Sequence, residues 1–208
     1  MAIGAEEVKR ILLQMVKVIE ENKVYLTELD AAIGDNDHGI NMNKGFKFAE
    51  EKLLAMENAG ISDMIKTVAM GLLSHVGGSA GPLYGTLFLK ASGASKEKNE
   101  INLLDFCKML REGIDGVKMR GKSDRGEKTM LDVLIPVLQS LEQSADEGEN
   151  AKSAFEKALN AAKEGVAFTK TIKATKGRAS YLGDRSIGHI DPGAMSSCLL
   201  VSAIYEML

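Results

Sequence analysis

Apolar side chains recur along the whole chain at intervals of three and four residues. This spacing puts them on one face of an α-helix, and no segment alternates apolar and polar residues for long enough to predict a β-strand. The fold class predicted is all-α, with little or no sheet. About eight amphipathic helices are predicted, marked by the apolar runs Val8 to Ile19, Phe46 to Leu54, Ile65 to Leu73, Leu83 to Phe88, Leu103 to Val117, Val133 to Leu141, Ala154 to Ala162 and Met195 to Ile204.

Prolines and polar stretches separate these helices. Pro82 and Pro192 are expected at the first position of a helix, where the missing N–H costs nothing. Pro136 falls inside an apolar run and is expected to kink its helix. The polar stretch 143–150 is interpreted as one surface loop. Short connections predict antiparallel neighbours, and the lack of a linker predicts a single domain over residues 1–208.

Four polar, glycine-rich segments lie between predicted helices, at residues 30–41, 77–82, 120–129 and 176–193. In an up-and-down bundle, alternate connections lie at the same end. The sequence therefore predicts that these segments meet at one rim and build a site there.

Three carboxylates are grouped in the first of these segments: Asp30, Asp35 and Asp37. Like charges at this density repel each other unless a cation neutralises them, and an all-oxygen ligand set favours Mg²⁺ or Ca²⁺. A calcium loop of the EF-hand type is excluded, because Ile40 and Phe46 stand where its Gly and Glu are required. Mg²⁺ with phosphate oxygens fits better. The alternative is a solvated acidic loop. The apolar residues that follow Asp30 argue against this alternative, because they suggest a partly buried turn.

The other segments offer groups that bind phosphate. The loop 77–82, Gly-Gly-Ser-Ala-Gly-Pro, runs into a helix start and presents backbone N–H groups, although a tightly packed turn is the alternative. Arg178 could make a bidentate hydrogen bond to phosphate oxygens. Met130 could lie against a flat ring or in the core. Asp191 and Pro192 form a helix start with a capping carboxylate, a role that needs no function.

Composition excludes several classes of protein. A hydrophobic fraction of 45% in 208 residues suffices for a core, and a net charge of −3 does not support nucleic-acid binding. No run approaches the roughly 18 apolar residues that span a bilayer. Cys107 and Cys198 lie in apolar helical patterns and are expected to be core thiols. A cytoplasmic location is the simplest expectation.

In combination, these segments resemble the L subunit of dihydroxyacetone kinase, the nucleotide-binding subunit of that enzyme. The resemblance covers essentially the whole chain and implies a barrel of eight antiparallel amphipathic helices. It rests on Gly34-Asp35-Asn36-Asp37-His38-Gly39, the run Gly77 to Gly85, Lys128-Thr129-Met130, and the run Lys176 to Gly183 with Asp191-Pro192-Gly193-Ala194.

The resemblance also implies the residues of the site. Asp30, Asp35 and Asp37 would hold two Mg²⁺ ions on the phosphates of ADP or ATP, with Arg178 as the catalytic residue. The family often carries Ser where this chain has Ala80, so only backbone contacts are expected to survive there. The implied nucleotide contacts are His38, Gly39, Ile40, Asn41, Ser79, Ala80, Gly121, Met130, Arg178, Asp191, Pro192 and Gly193.

The implied activity is that of a phosphotransferase subunit, active only with its partner. Dihydroxyacetone would be held by a separate K subunit, and bound ADP would be rephosphorylated in place by a phosphotransferase-system M subunit. Free ATP is the other donor that the family uses. The rival interpretations are a related domain serving another kinase, such as the fatty-acid kinase type, and a nucleotide sensor that regulates a partner such as a transcription factor. A homodimer is left open.

Overall fold

The computed structural model describes residues 2–208, and this part of the chain is almost entirely helical. It contains eight α-helices, which confirms the all-α prediction. They are α1 Ala5–Ile33, α2 His38–Ala55, α3 Ile61–His75, α4 Ala80–Ala94, α5 Leu103–Gly121, α6 Leu131–Asp146, α7 Ala151–Thr171 and α8 Pro192–Met207. A 3₁₀ helix spans Arg178–Ser186, and the strands β1 Ile3–Gly4 and β2 Glu100–Ile101 pair antiparallel.

The helices close into a ring. Each one packs against the next in sequence, and α8 packs against α1. This ring of neighbours fits the antiparallel barrel that the resemblance implied. Its interior is one continuous apolar cluster that includes Ile19, Phe46, Leu72 and Leu141, all fully buried.

Three local expectations need correction. Pro82 is the third residue of α4 rather than the first, because the helix begins at Ala80; the third position is equally free of a helical N–H partner. Helix α6 continues to Asp146, so only 147–150 remain of the predicted surface loop. The fourth polar segment contains the 3₁₀ helix. Pro136 does lie inside α6, and both cysteines are buried and free, as predicted.

The alternation of helix direction gives the barrel two different ends. At one end, here called the site end, α1, α3, α5 and α7 finish and α2, α4, α6 and α8 begin. Near the other end an apolar cavity of about 150 Å³ lies among side chains such as Leu103, Phe155 and Leu208. Within residues 2–208, no helix combines the length and the apolar character that crossing a membrane requires.

Candidate functional site

A cavity of about 420 Å³ opens at the site end of the barrel. Its walls come from all four polar segments that the sequence singled out: the turn after α1, the loop before α4, the loop between α5 and α6, and the segment between α7 and α8. The prediction that these segments meet at one rim is confirmed. The alternating direction of successive helices around the ring brings them there.

The three aspartates of the first segment lie together at this cavity. One carboxylate oxygen from each of Asp30, Asp35 and Asp37 lies within 4.8 Å of the other two. Asp30 is buried, Asp37 is half-buried and Asp35 is exposed. The cluster therefore has a closed side inside the barrel and an open side that a ligand can reach.

The backbone fixes the position of Asp30. Its Oδ2 accepts hydrogen bonds from the N–H groups of Asp37, at 2.9 Å, and of His38, at 3.2 Å. Gly34 makes this turn possible, because a Cβ at that position would lie only 1.9 Å from Asp30 Oδ1. Asn36 adopts a left-handed φ of 62° between the other two aspartates. The turn is thus built around one buried carboxylate.

The electrostatics of the cluster call for a cation. Burial, and next the neighbouring Asp35 carboxylate, raise the pKa of Asp37. Asp30 lies in the last turn of α1, where the helix dipole disfavours an anion and no basic side chain of that turn offsets it. The Arg178 guanidinium is a cation in direct contact with the cluster, with its Nε 2.8 Å from Asp35 Oδ2. Oxygen ligands in this arrangement suit Mg²⁺.

Four helix N-termini face the same cavity. His38, Ala80 and Pro192 are the first residues of α2, α4 and α8, and Met130 immediately precedes α6; all four line the cavity. Helix N-termini carry unpaired N–H groups and partial positive charge, so they attract phosphate. The cavity therefore offers a carboxylate cluster for cations beside the positive ends of four helix dipoles for anions.

A buried lysine supports the far wall. The Nζ of Lys128, whose side chain is 1% exposed, donates to the carbonyl oxygens of Thr169 and His189. Burial lowers the pKa of Lys128 and raises the pKa of Asp191 to about 7. Asp191 Oδ2 accepts a hydrogen bond of 2.7 Å from the N–H of Ala194, which confirms the predicted cap of α8.

Most of the residues proposed from the sequence line this cavity. Gly39, Ile40 and Asn41 do not. Gly39 packs against α1, where a Cβ would lie 2.0 Å from the carbonyl oxygen of Lys23. Ile40 is 47% exposed, and Asn41 lies against Gly77. Those that line it are Asp30, Asp35, Asp37, His38, Ser79, Ala80, Gly121, Met130, Arg178, Asp191, Pro192 and Gly193.

The sequence family is decided by comparison with known proteins. The family model for the DAK2 domain matches residues 32–206, nearly the whole chain. The chain belongs to the DAK2 domain family. The match begins inside α1, two residues after Asp30, and ends in α8, so it includes three of the four cavity segments completely and all but the first two residues of the segment 30–41.

Three relatives of this DAK2 domain are named as ADP-binding subunits of dihydroxyacetone kinases. The PEP-dependent dihydroxyacetone kinase, ADP-binding subunit DhaL, of Escherichia coli is 42% identical over 204 residues, covering 98% of this chain and 97% of the relative. The corresponding ADP-binding subunit of PEP-dependent dihydroxyacetone kinase 1 in Listeria innocua is 45% identical, and the match covers 90% of this chain and 89% of the relative. The PTS-dependent subunit of Lactococcus lactis is 42% identical, covering 91% of each chain.

A solved structure shares the fold. The dihydroxyacetone kinase of C. freundii in complex with AMP-PNP and Mg²⁺ superposes with a TM-score of 0.75 at 22% identity. The match covers 99% of this chain and 34% of that one. At this identity the likeness concerns the fold, and it supports the all-α architecture of this DAK2 domain.

Several residues at the DAK2 site were not proposed from the sequence. Lys128, Arg120 and Lys176 line the cavity, as does Tyr84, whose hydroxyl is buried. Of these, Lys128 had a local signal: it precedes Thr129-Met130 in a matched motif. Asn36, Lys122 and Lys128 also adopt left-handed φ in loops of the site, a mark of local strain that only the structure reveals. Neither strain nor burial can be read from periodicity.

Proposed function

We propose that this DAK2 domain is the ADP-binding subunit of a dihydroxyacetone kinase. It binds ADP or ATP in the 420 Å³ cavity and passes a phosphoryl group to dihydroxyacetone held on a separate K subunit. The observation that carries the proposal is the cluster of three carboxylates within 4.8 Å at a cavity that four helix N-termini face. The names of relatives at 42–45% identity support it.

The carboxylate cluster fits a pair of Mg²⁺ ions. Asp30, Asp35 and Asp37 would hold them, since their donor atoms are all oxygens and one carboxylate is already fixed by backbone N–H groups. Bound Mg²⁺ would offset the charge that phosphoryl transfer spreads over the phosphate oxygens. The proposal therefore assigns these three residues as metal ligands.

The rest of the cavity would position the nucleotide. The start of α4 binds phosphate oxygens through its backbone N–H groups, which need no reorganisation to do so. Ser79 and Ala80 contribute in this way through their backbone. The starts of α2 and α8 contribute the positive ends of their helix dipoles, since the N–H of His38 is bonded to Asp30 and the N–H of Ala194 to Asp191. Gly121 and Met130 form the wall against which the nucleoside lies. Arg178 leaves Asp35 and turns its guanidinium to the transferring phosphate, where charge develops.

The proposal also includes partners. A K subunit supplies the dihydroxyacetone, and a phosphotransferase-system M subunit rephosphorylates ADP that stays bound as a coenzyme. The names of the Escherichia coli and Lactococcus lactis relatives, PEP-dependent and PTS-dependent, support this donor over free ATP. We propose the cytosol as the location, because free thiols such as Cys107 and Cys198 stay reduced there.

Reconstitution tests the function and its donor together. The protein is mixed with a K subunit and dihydroxyacetone, and dihydroxyacetone phosphate is measured with either ATP or phosphoenolpyruvate plus the phosphotransferase-system proteins. Product with phosphoenolpyruvate and none without the K subunit is expected. Product with ATP alone would replace the coenzyme interpretation by an exchangeable donor. No product under either condition, with nucleotide bound, would favour a sensor instead.

A single substitution tests the metal ligands. Asp35→Ala removes a carboxylate from the cluster, so we expect the purified protein to lose its tightly held ADP and its response to Mg²⁺. ADP is released by denaturation and quantified by chromatography. Asp184→Ala is the matched control, because Asp184 pairs with Lys173 on the surface at 85% side-chain exposure. Equal ADP contents in Asp35→Ala and the unaltered protein would refute the assignment.

A further inference from the structure

A group of buried hydroxyls lies inside the barrel between α4 and α8. The hydroxyl of Tyr84 lies 2.7 Å from Ser196 Oγ and 2.7 Å from Ser197 Oγ, and it donates to the carbonyl oxygen of Gly193 at 2.8 Å. Tyr84 is 1% exposed and both serines are fully buried. Polar groups at this depth are costly unless they are hydrogen-bonded, so the arrangement is tightly specified.

One branch of this network reaches both walls of the nucleotide cavity. Ser196 Oγ lies 2.9 Å from His38 Nε2 and 3.1 Å from the Gly193 carbonyl oxygen. His38 begins α2, and its N–H binds the Asp30 carboxylate of the acidic cluster. Gly193 lies in the first turn of α8, beside the cap residue Asp191. Tyr84 and Ser196 thus connect the carboxylate wall to the α8 wall.

The other branch ends inside the core. Apart from the Tyr84 hydroxyl, Ser197 Oγ contacts no residue that lines the cavity in the side-chain hydrogen bonds of residues 2–208. The two adjacent serines of α8 are therefore equally buried, and both are bonded to the same tyrosine. Only one of them touches His38 and Gly193.

We propose that Tyr84 and Ser196 are positioning residues that set the distance between the α2 and α8 walls of the nucleotide cavity. They do so by holding the His38 ring and the Gly193 carbonyl against a common pair of hydroxyls. This role rests on the proposed nucleotide binding. The α2 and α8 N-termini bind the same polyphosphate only if their separation is fixed, and a shift of about 1 Å in a supporting group can weaken such a site severely.

Three variants that each delete one buried hydroxyl test this role. Tyr84→Phe, Ser196→Ala and Ser197→Ala all leave a buried partner unsatisfied, so all three are expected to lower the melting temperature. In a calorimetric titration with ADP and Mg²⁺, we expect Tyr84→Phe and Ser196→Ala to raise the Kd about tenfold. Ser197→Ala is expected to leave the Kd within about twofold of the unaltered protein, since it touches neither wall.

A spectroscopic measurement separates positioning from general loss of stability. The nitrogen chemical shifts of the His38 imidazole are expected to change in Ser196→Ala and to stay in place in Ser197→Ala. If Tyr84→Phe fails to fold, the comparison of the two serines decides alone. Equal Kd values in the two serine variants would overturn the positioning role. Absence of ADP binding by the unaltered protein would overturn both this role and the proposed function.

Discussion

Arg178, the proposed catalytic residue, is expected to contribute little to the stability of the fold. Its side chain is 68% exposed and its recorded ion pair is with Asp35, an exposed member of the acidic cluster. Exposed ion pairs contribute between zero and about 1 kcal/mol, because solvent screens them and ordering two side chains costs entropy. The position of Arg178 beside the proposed metal ligands is therefore better explained by chemistry than by stability.

Substitution of Arg178 is expected to separate turnover from stability. In Arg178→Ala, the free energy of unfolding should fall by no more than about 1 kcal/mol. Turnover in the reconstituted kinase should fall at least about a hundredfold, because arginines that stabilise a transferring phosphoryl group contribute at least that much. Arg178→Lys keeps the charge but not the planar fork, and we expect it to recover only part of the rate.

The matched control for Arg178 lies at the other end of the barrel. Arg10 pairs with Glu7 at 2.9 Å and is 61% exposed, so Arg10→Ala deletes a similar surface ion pair. It should change neither turnover nor melting temperature appreciably. A large drop in the melting temperature of Arg178→Ala together with normal turnover would assign Arg178 to the fold.

At the scale of the element, the start of α8 combines a helix cap with an unusual charge. Asp191 caps the helix by accepting a hydrogen bond from the N–H of Ala194, and Pro192 occupies the first helical position. Lys128 donates a hydrogen bond to the carbonyl oxygen of His189 in the turn before the helix. Burial raises the pKa of Asp191 to about 7, and the Ala194 hydrogen bond and the Lys128 charge only partly oppose it. The cap is therefore held in a setting that disfavours its ionised form.

This raised pKa predicts a pH dependence of stability. Between pH 4.5 and about 7 the folded protein retains a proton on Asp191 that the unfolded chain has lost. The contribution of this proton to the free energy of unfolding therefore decreases as pH rises, and it is gone above about pH 7. Asp191→Asn keeps a capping acceptor without the titration. Measured without nucleotide, the melting temperature of the unaltered protein should fall by several degrees relative to Asp191→Asn over this range.

Asp105 provides a control of opposite sign for the pH series. Its hydrogen bond with Lys98 lowers the pKa of the carboxyl below the ordinary value of 3.8, so its contribution is already complete above that pH. The difference between the unaltered protein and Asp105→Asn should stay constant from pH 4.5 to 7.5. A constant difference for Asp191→Asn as well would contradict the raised pKa.

The elements that could be predicted from the sequence are those with an apolar period. All eight α-helices have one, whereas the 3₁₀ helix Arg178–Ser186 and the two-residue strands β1 and β2 are too short and too polar to show a repeat. The acidic turn was predicted because charge is visible in a sequence. The Tyr84–Ser196 network was not, because two serines in an apolar run become informative only when α4 lies beside them.

At the scale of the whole molecule, the opening of the 420 Å³ cavity, here called the mouth, lies at the site end of the ring of helices. The proposed metal ligands lie at the site end, and the opposite end is lined by apolar side chains around the 150 Å³ cavity. A phosphoryl group can reach a second protein only where that protein covers the mouth. The 3₁₀ helix stands beside this mouth, since its first residue, Arg178, contacts Asp35.

Tyr181 is the side chain of this 3₁₀ helix that a partner would bury. It is 88% exposed, three residues after Arg178, and it does not line the nucleotide cavity. Aromatic side chains that lose their water in an interface often dominate its energy. We therefore expect Tyr181→Ala to raise the K subunit concentration that gives half-maximal turnover about tenfold, while the Kd for ADP with Mg²⁺ stays unchanged.

The control for Tyr181 is another largely exposed apolar side chain, far from the mouth. Leu104 is 65% exposed in the first turn of α5, at the opposite end, so Leu104→Ala should leave both quantities unchanged. If Tyr181→Ala required no more K subunit than Leu104→Ala, the partner would have to approach without covering the 3₁₀ helix. Docking of the proposed K subunit on this helix would account for an aromatic side chain that is 88% exposed beside the site.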